Sequence, residues 1–187
     1  MFGLLLYLLS TANDVIKKIL DSIQQLLAKL PAVVLLMMLF YVVFKTSSLD
    51  AVIISIIGFT IIFGNVFYGL LKTGVNSVDK GQNEAALALG YDNKLSFFHI
   101  VLPQALKTIY ETYLSEVIAL IKNTSIIGYV SVTDITRASD IIRGRTYEAL
   151  FPLLVVSVIY FLGCSLLTAL IRIPIKAIIF RKVNYDD

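Results

Sequence analysis

The sequence predicts an all-α protein, a polytopic bundle of membrane-spanning helices. Hydrophobic residues make up 58% of the 187 positions, charged residues only 16%, and the mean hydropathy is +0.84. Soluble domains carry roughly 45–50% apolar and about 25% charged residues. Two uncharged stretches, 51–71 and 150–171, are each long enough to cross a hydrocarbon core of about 30 Å at about 1.5 Å per residue. We expect a single transmembrane domain over residues 1–187.

The chain opens on an apolar stretch, residues 1–10, that is too short to cross a membrane. Ten helical residues cover only about 15 Å, roughly half of the hydrocarbon core. The stretch has no basic head and no small-residue cleavage site, so it does not resemble a signal peptide. We expect a partial span, which upstream sequence, a partner or a fused segment completes unless the chain is impaired.

Residues 14–30 predict an amphipathic helix, because apolar side chains recur at helical spacing and polar side chains occupy the opposite face. Asn13 or Asp14 is placed to cap its start. The pattern suits a linker helix on the cytoplasmic membrane surface, and an ordinary bundle helix is the alternative. The uncharged residues 31–44 then predict a short span.

The stretch 51–71 predicts the next span, and its one strongly polar side chain is Asn65. Small residues allow neighbouring helices to approach closely in a membrane. The glycines placed to do so here are Gly58, Gly64 and Gly69.

Residues 73–104 interrupt the apolar pattern and predict a polar loop with two short helices, roughly 79–89 and 93–101. Gly90 is placed to end the first in a left-handed conformation. Asp92 or Asn93 can cap the second. Proline disfavours helix at the residue before it, so we expect Pro103 to stop the second helix.

The remaining chain predicts two further spans, 108–130 and 150–171, separated by a polar loop at 131–148. Lysine and arginine concentrate in 11–30, 72–107 and 172–187. The positive-inside rule places those segments in the cytoplasm and the loop at 131–148 outside.

Several function classes have no support in the sequence. The net charge is only +3 and no basic patch interleaves with aromatic residues, so we expect no nucleic-acid partner. The single His99 and the single Cys164 do not make a metal site. Neither a G-x-x-x-x-G-K-[ST] phosphate loop nor a G-x-S-x-G motif is present, and no catalytic constellation lies at membrane depth. We expect a chain that is not an enzyme.

One spaced motif occupies the polar loop. It consists of Glu84-Ala85-Ala86, then Gly90, and then Ile100 followed by Leu102-Pro103. This motif resembles the EAA loop of bacterial ABC importer permeases, the segment that docks on a cytoplasmic ATPase. Further stretches resemble the polar amino-acid branch of that family: residues 78–82, 116–125, 134–138 and 145–149.

The resemblance implies a permease of the bacterial cytoplasmic membrane with about five spans, the first truncated in this chain. It implies two ATPase chains, which bind ATP-Mg, and a second permease chain, either identical or different. It also implies an extracytoplasmic solute-binding protein and surrounding lipid. We expect no cofactor in this chain.

The resemblance assigns ATPase coupling to the loop. Small side chains would let a short helix sit in a groove of the ATPase, and Phe97, Phe98 and Ile100 would anchor the second short helix against the spans. The alternative for Glu84 alone is an acidic residue favoured by the helix dipole. The coupling residues are Glu84, Ala85, Ala86, Gly90, Ile100, Leu102 and Pro103.

Two further sets are candidates. Ionisable residues at membrane depth usually face an interior or a water-filled path, although a structural ion pair, or Thr124 and Ser125 bonding their own backbone, is the alternative. The substrate-path set is Asn65, Glu116, Lys122, Asn123, Thr124 and Ser125.

Arginines in the outer loop could bind carboxylates of the solute-binding protein, or be merely solvated. They are Arg137, Arg143 and Arg145.

The chain departs from the amino-acid branch at Gly69, where relatives usually carry an acidic residue. That departure weakens the substrate assignment. The function expected is therefore the permease subunit of an ATP-driven importer of polar amino acids. The alternatives are a permease for another small solute and a non-transporting, degenerate membrane scaffold.

Overall fold

A computed structural model describes residues 2–179, with side chains described for residues 2–172. The basic tail at 180–187, which supports the expected orientation, lies outside the described residues, as do Met1 and the side chain of Lys176. The described part is all-α, as the sequence predicts. Its α-helices in chain order are α1 (Phe2–Ala12), α2 (Asp14–Lys29), α3 (Ala32–Met38), α4 (Ala51–Ser77), α5 (Lys80–Ala88), α6 (Asn93–Ser96), α7 (Leu102–Asn123), α8 (Ile135–Thr146) and α9 (Leu150–Ile179).

Three irregular helical segments join these elements. π-Helical turns at Leu39–Val43 and Phe97–Val101 extend α3 and join α6 to α7. A 3₁₀ segment, Thr124–Val130, follows α7. The helical segment over the expected span 108–130 therefore starts earlier, at Leu102, and changes helix type after Asn123.

Two helices of the described part are long and apolar enough to cross a membrane unbroken, α4 and the Leu150–Arg172 portion of α9. Helix α2 and the segment Ala32–Val43, which is α3 with its π-turn, are long and apolar enough only when taken together. The two bend by 109° at the break between them. Helix α7 is not in this class, because charged side chains interrupt it along its length. They are Lys107, Glu111, Glu116 and Lys122.

The expected polar loop is largely helical. Most of the residues expected to start or end its short helices do so. The Asp79 carboxylate accepts the Gly81 N–H at 2.6 Å to start α5, and the Asp92 carboxylate accepts the Leu95 N–H at 2.7 Å to start α6. Between them Gly90 has φ of +89°, the left-handed conformation that glycine adopts without strain.

The expected stop at Pro103 is wrong. The chain stays helical from Asn93 to Asn123, and Pro103 lies in the first turn of α7. Proline is tolerated in the first turn of an α-helix, although here the helical run continues through that turn rather than starting at it. The preceding π-turn supplies the local adjustment of the backbone.

The region expected as an outer loop, 131–148, contains α8. The Asp134 carboxylate accepts the Arg137 N–H at 2.8 Å and caps this helix, which ends at Tyr147 with φ of +57°. The helix was not predicted, because polar side chains occupy most of its length and such a composition is typical of a loop.

Helix α4 is the centre of the bundle and packs between α1 and α7. Tyr7, Tyr68, Leu71 and Ile109 form its buried cluster. A Cβ on Gly3 would lie 2.7 Å from the Gly64 carbonyl oxygen, so α1 and α4 meet through backbone. The close approach of a neighbouring helix that we expected at Gly64 is confirmed.

Candidate functional site

The motif residues of α5 divide between two faces. Glu84 and Ala85 are exposed, whereas Ala86 is only 4% exposed. The carbonyl of Ala86 accepts the Tyr91 N–H at 3.1 Å across the Gly90 turn. Glu84 and Ala85 therefore lie on the outward surface of α5, and the small side chain of Ala86 permits close packing inside the loop.

Side-chain hydrogen bonds tie α5 to the helices that follow. The hydroxyl of fully buried Ser96 donates to Asn83 Oδ1 at 2.5 Å, and Gln104 Nε2 donates to Gln82 Oε1 at 3.3 Å. We call α5, α6 and the π-turn Phe97–Val101 the coupling unit. These bonds fix its three parts to one another and to the start of α7.

The coupling unit is anchored to the bundle by one aromatic contact. Phe97 stacks on Tyr7 of α1 with ring centroids 5.8 Å apart and planes 13° apart. Phe98 is 45% exposed, so the expectation that it anchors the unit is wrong. Ile100, in the same π-turn, is half-buried.

Leu102 and Pro103 carry the motif into α7, where Leu102 is half-buried and Pro103 exposed. One turn later α7 meets α4. A Cβ on Gly74 would lie 2.7 Å from Ile109 Cγ2 and 3.0 Å from the Ala105 carbonyl oxygen. The end of the motif therefore leads directly into a close contact between α7 and α4.

A polar cluster fastens α2 to α4. Asp21 Oδ2 lies 2.7 Å from Lys72 Nζ, and the Tyr68 hydroxyl donates to Asp21 Oδ1 at 2.7 Å. The hydrogen bond from Lys72 lowers the pKa of the Asp21 carboxyl, and the Tyr68 bond lowers it further against an opposing effect of burial. The sequence pattern puts Asp21 on the polar face of the helix predicted at 14–30 and does not predict this cluster. The available signal was the four-residue spacing of Tyr68 and Lys72, which puts both on one face of α4.

The lowered pKa gives a pH prediction for Asp21→Asn. A carboxyl whose pKa is lower in the folded than in the unfolded protein stabilises the fold fully above its unfolded value, about 3.9. That contribution is lost as pH falls through the folded value. We expect native protein to melt above Asp21→Asn by a constant interval from pH 5 to 8, and the interval to close below about pH 4. Melting curves in detergent measure it, and an interval that grows on acidification would contradict the cluster.

Asn65 lies near this cluster and lines a cavity of about 420 Å³. Its amide donates to the Gln24 carbonyl at 3.3 Å. The polar side chains of the lining, Gln24, Asn65 and Thr73, are uncharged. A Cβ on Gly69 would lie 3.1 Å from Gln24 Nε2, so the glutamine amide occupies the space beside this glycine.

The other substrate-path candidates lie elsewhere. Lys122 and Asn123 are exposed in the last turn of α7, Glu116 is half-buried along that helix, and Thr124 lines a separate cavity of about 380 Å³. The Thr124 hydroxyl donates to the Ile121 carbonyl at 2.6 Å, and the Ser125 hydroxyl to the Lys122 carbonyl at 2.9 Å. The structure thus shows the backbone-bonded alternative for both hydroxyls and does not bring Asn65 to the same cavity as Thr124.

The three candidate arginines all lie on α8. Arg143 pairs with Asp140 at 3.1 Å one turn earlier, while Arg137 and Arg145 are exposed. Within the described residues, no group of three or more His, Cys, Asp or Glu side chains is placed to hold a metal ion.

Comparison with known proteins identifies the family. The model of the family "Binding-protein-dependent transport system inner membrane component" matches residues 1–179. The Rickettsia felis protein named "Putative glutamine transport system permease protein GlnP" is 32% identical over 123 residues, 66% of this chain and 56% of the relative. The arginine transport system permease protein ArtQ of Bacillus subtilis is 34% identical over 99 residues, 53% of this chain and 45% of that protein. The chain thus matches about half the length of these relatives.

A solved structure agrees with the sequence relatives. The crystal structure of an amino acid ABC transporter with histidines matches with a TM-score of 0.79 and 27% sequence identity, covering 91% of this chain and 82% of that one. The all-α bundle expected from the sequence is confirmed, and so is the resemblance to importer permeases. The chain belongs to the family of binding-protein-dependent transport system inner membrane components.

Proposed function

We propose that this chain is a permease subunit of an ATP-driven importer of polar amino acids in the bacterial cytoplasmic membrane. The observation that carries the proposal is the coupling unit: an exposed Glu84–Ala85 surface on a short helix that is tied to the bundle behind it. The similarity to amino-acid permeases supports the substrate class. The chain itself is not an enzyme and holds no cofactor, and ATP-Mg is bound and hydrolysed in a separate partner.

The mechanism follows from how the unit is attached. Closure of the paired ATPases pushes on the Glu84–Ala85 surface, and the Asn83–Ser96 and Gln82–Gln104 bonds make α5 and α6 move together. Because the π-turn continues into α7, the displacement reaches the close contact at Gly74 and tilts α4 with α7. The whole bundle then alternates between inward-open and outward-open states.

The remaining partners follow from the same orientation. With the coupling unit in the cytoplasm, α8 faces the other side, where Arg137, Arg143 and Arg145 contact carboxylates of an extracytoplasmic solute-binding protein. A second permease chain, identical or closely similar, completes the pore.

The substrate passes the uncharged cavity beside Asn65, where amide groups can donate and accept hydrogen bonds. Farther along, the path is lined by Glu116, Lys122 and Asn123 of α7 and by Thr124 and Ser125 of the 3₁₀ segment that follows it. The absence of a charge at Gly69 favours solutes whose side chains are polar and neutral.

Replacing Glu84 with arginine tests the proposal, because the exposed side chain can change charge without disturbing the fold. We expect substrate-stimulated ATPase activity of the reconstituted complex to fall at least about tenfold, equivalent to about 1.4 kcal/mol of docking energy. Lys107→Glu is the control, since it also reverses an exposed charge but lies on α7 outside the coupling unit. Full coupled transport by Glu84→Arg would refute the coupling role, and failure of the native chain to co-purify with an ATPase would leave the scaffold alternative.

A further inference from the structure

A cavity of about 800 Å³ lies between α1, the end of α4 and the coupling unit. Its lining combines two kinds of side chain. Leu8, Val75, Phe97 and Phe98 provide apolar surface, and Lys80 and Lys94 provide positive charge. A cavity with an apolar wall and a cationic edge is chemically matched to an anionic amphiphile.

The two lysines are held on separate but connected helices. Lys80 lies one turn before Asn83 on α5, Lys94 lies two residues before Ser96 on α6, and the Asn83–Ser96 hydrogen bond joins those helices. Within residues 2–172 neither ammonium group forms an ion pair. Both positive charges are therefore available to a ligand.

The acidic residue in the lining is Asp79. One of its carboxylate oxygens accepts the Gly81 N–H at 2.6 Å as the cap of α5. The carboxylate is thus already bound to the protein, and the lining still carries two positive charges against one negative.

The apolar wall contains a side chain that internal packing does not explain. Phe98 is 45% exposed although it stands beside Phe97, with ring centroids 5.2 Å apart. Apolar surface left in water is unfavourable in proportion to its area, so an apolar chain laid over this ring would be stabilised.

We propose that this cavity binds an anionic phospholipid. Its phosphate lies between Lys80 and Lys94, and the upper part of an acyl chain covers Phe98 and Leu8. Basic pockets between membrane helices on the cytoplasmic side are suited to such headgroups, since each lysine near an anionic surface contributes attraction. The assignment to the cytoplasmic leaflet rests on the proposed function, whereas the binding chemistry does not.

Native mass spectrometry of the full chain, released from nanodiscs of phosphatidylcholine with or without phosphatidylglycerol, tests the proposal. We expect one retained phosphatidylglycerol, and retention lower by roughly tenfold or more in Lys80→Gln/Lys94→Gln. Lys107→Gln, which removes an exposed charge on α7 outside the cavity, is the matched control and should retain the lipid. Equal retention by the native chain and the double variant would overturn the site.

Two further arms separate the possible ligands. Phe98→Asn keeps both charges and should also lose the lipid, while excess inorganic phosphate should not displace it from native protein. Displacement by phosphate, or full retention by Phe98→Asn, would show a simple anion site and overturn the lipid assignment. Glu84→Arg should retain the lipid, so loss of coupling and loss of this site are distinguishable.

Discussion

Gly74→Leu is expected to separate α4 from α7 and to lower the stability of the bundle by about 2–3 kcal/mol. The new Cβ would meet Ile109 Cγ2 at 2.7 Å and the Ala105 carbonyl oxygen at 3.0 Å. Ala105 and Ile109 are 0% and 5% exposed, so neither can move into solvent. The carbonyl belongs to the backbone, and relieving that contact requires a shift of α7 itself.

The measurement is the melting temperature of the purified chain in detergent, together with its elution on size exclusion. Gly163→Leu is the matched control, because it makes the same substitution in the long helix α9 where no described atom lies within 4 Å of the new Cβ. Both changes gain helix propensity equally. Equal melting temperatures for Gly74→Leu and the native chain would show that α4 and α7 are not in the contact described.

Asp21→Lys is expected to detach α2 from α4 at a cost of about 2–3 kcal/mol. The lysine would face Lys72 at the position of a 2.7 Å ion pair and would remove the acceptor of the Tyr68 hydroxyl. Lys72 is 39% exposed, so solvent limits the pair itself to about 1 kcal/mol or less. Most of the loss comes from Tyr68, which is 2% exposed and whose hydroxyl loses its carboxylate acceptor.

Exchanging the two charges measures the contribution of the Asp21–Lys72 ion pair to stability separately from that of the Tyr68 hydrogen bond. Asp21→Lys combined with Lys72→Asp should be more stable than the sum of the two single variants by about 1 kcal/mol, while the lost Tyr68 bond stays unrepaired. Thermal melts of the native chain, both single variants and the double variant close the cycle. Strict additivity would mean that the two side chains do not interact.

Local features of the chain were predictable because short-range chemistry decides them. Asn13 caps α2 by accepting the Val15 N–H at 2.8 Å, and Gly90 takes the positive φ that its place after α5 indicates. Pro103 was misjudged because the rule that the residue before a proline avoids helix takes no account of the π-turn that precedes it here. Helix α8 was missed because its polar composition resembles that of a loop.

The sequence predicted which segment of the chain forms the candidate site. It did not predict which helix face of that segment is exposed. The motif spacing located the coupling unit, yet three successive motif residues at 84–86 could not reveal which of them points inward. The Asp21–Lys72 pair escaped because it joins residues 51 positions apart. A period of 3.6 shows which side chains share a helix face but not which helix packs against it.

The π-helical turn at Phe97–Val101 also constrains how many residues can lie between α5 and α7. Each helical residue turns the chain by about 100°, so deleting one residue here would swing everything before it by that angle relative to α7. Phe97 would then leave the ring of Tyr7, and the Glu84–Ala85 surface would point in a new direction. Insertions and deletions should therefore be excluded between Asn93 and Ala105, even where single substitutions are accepted.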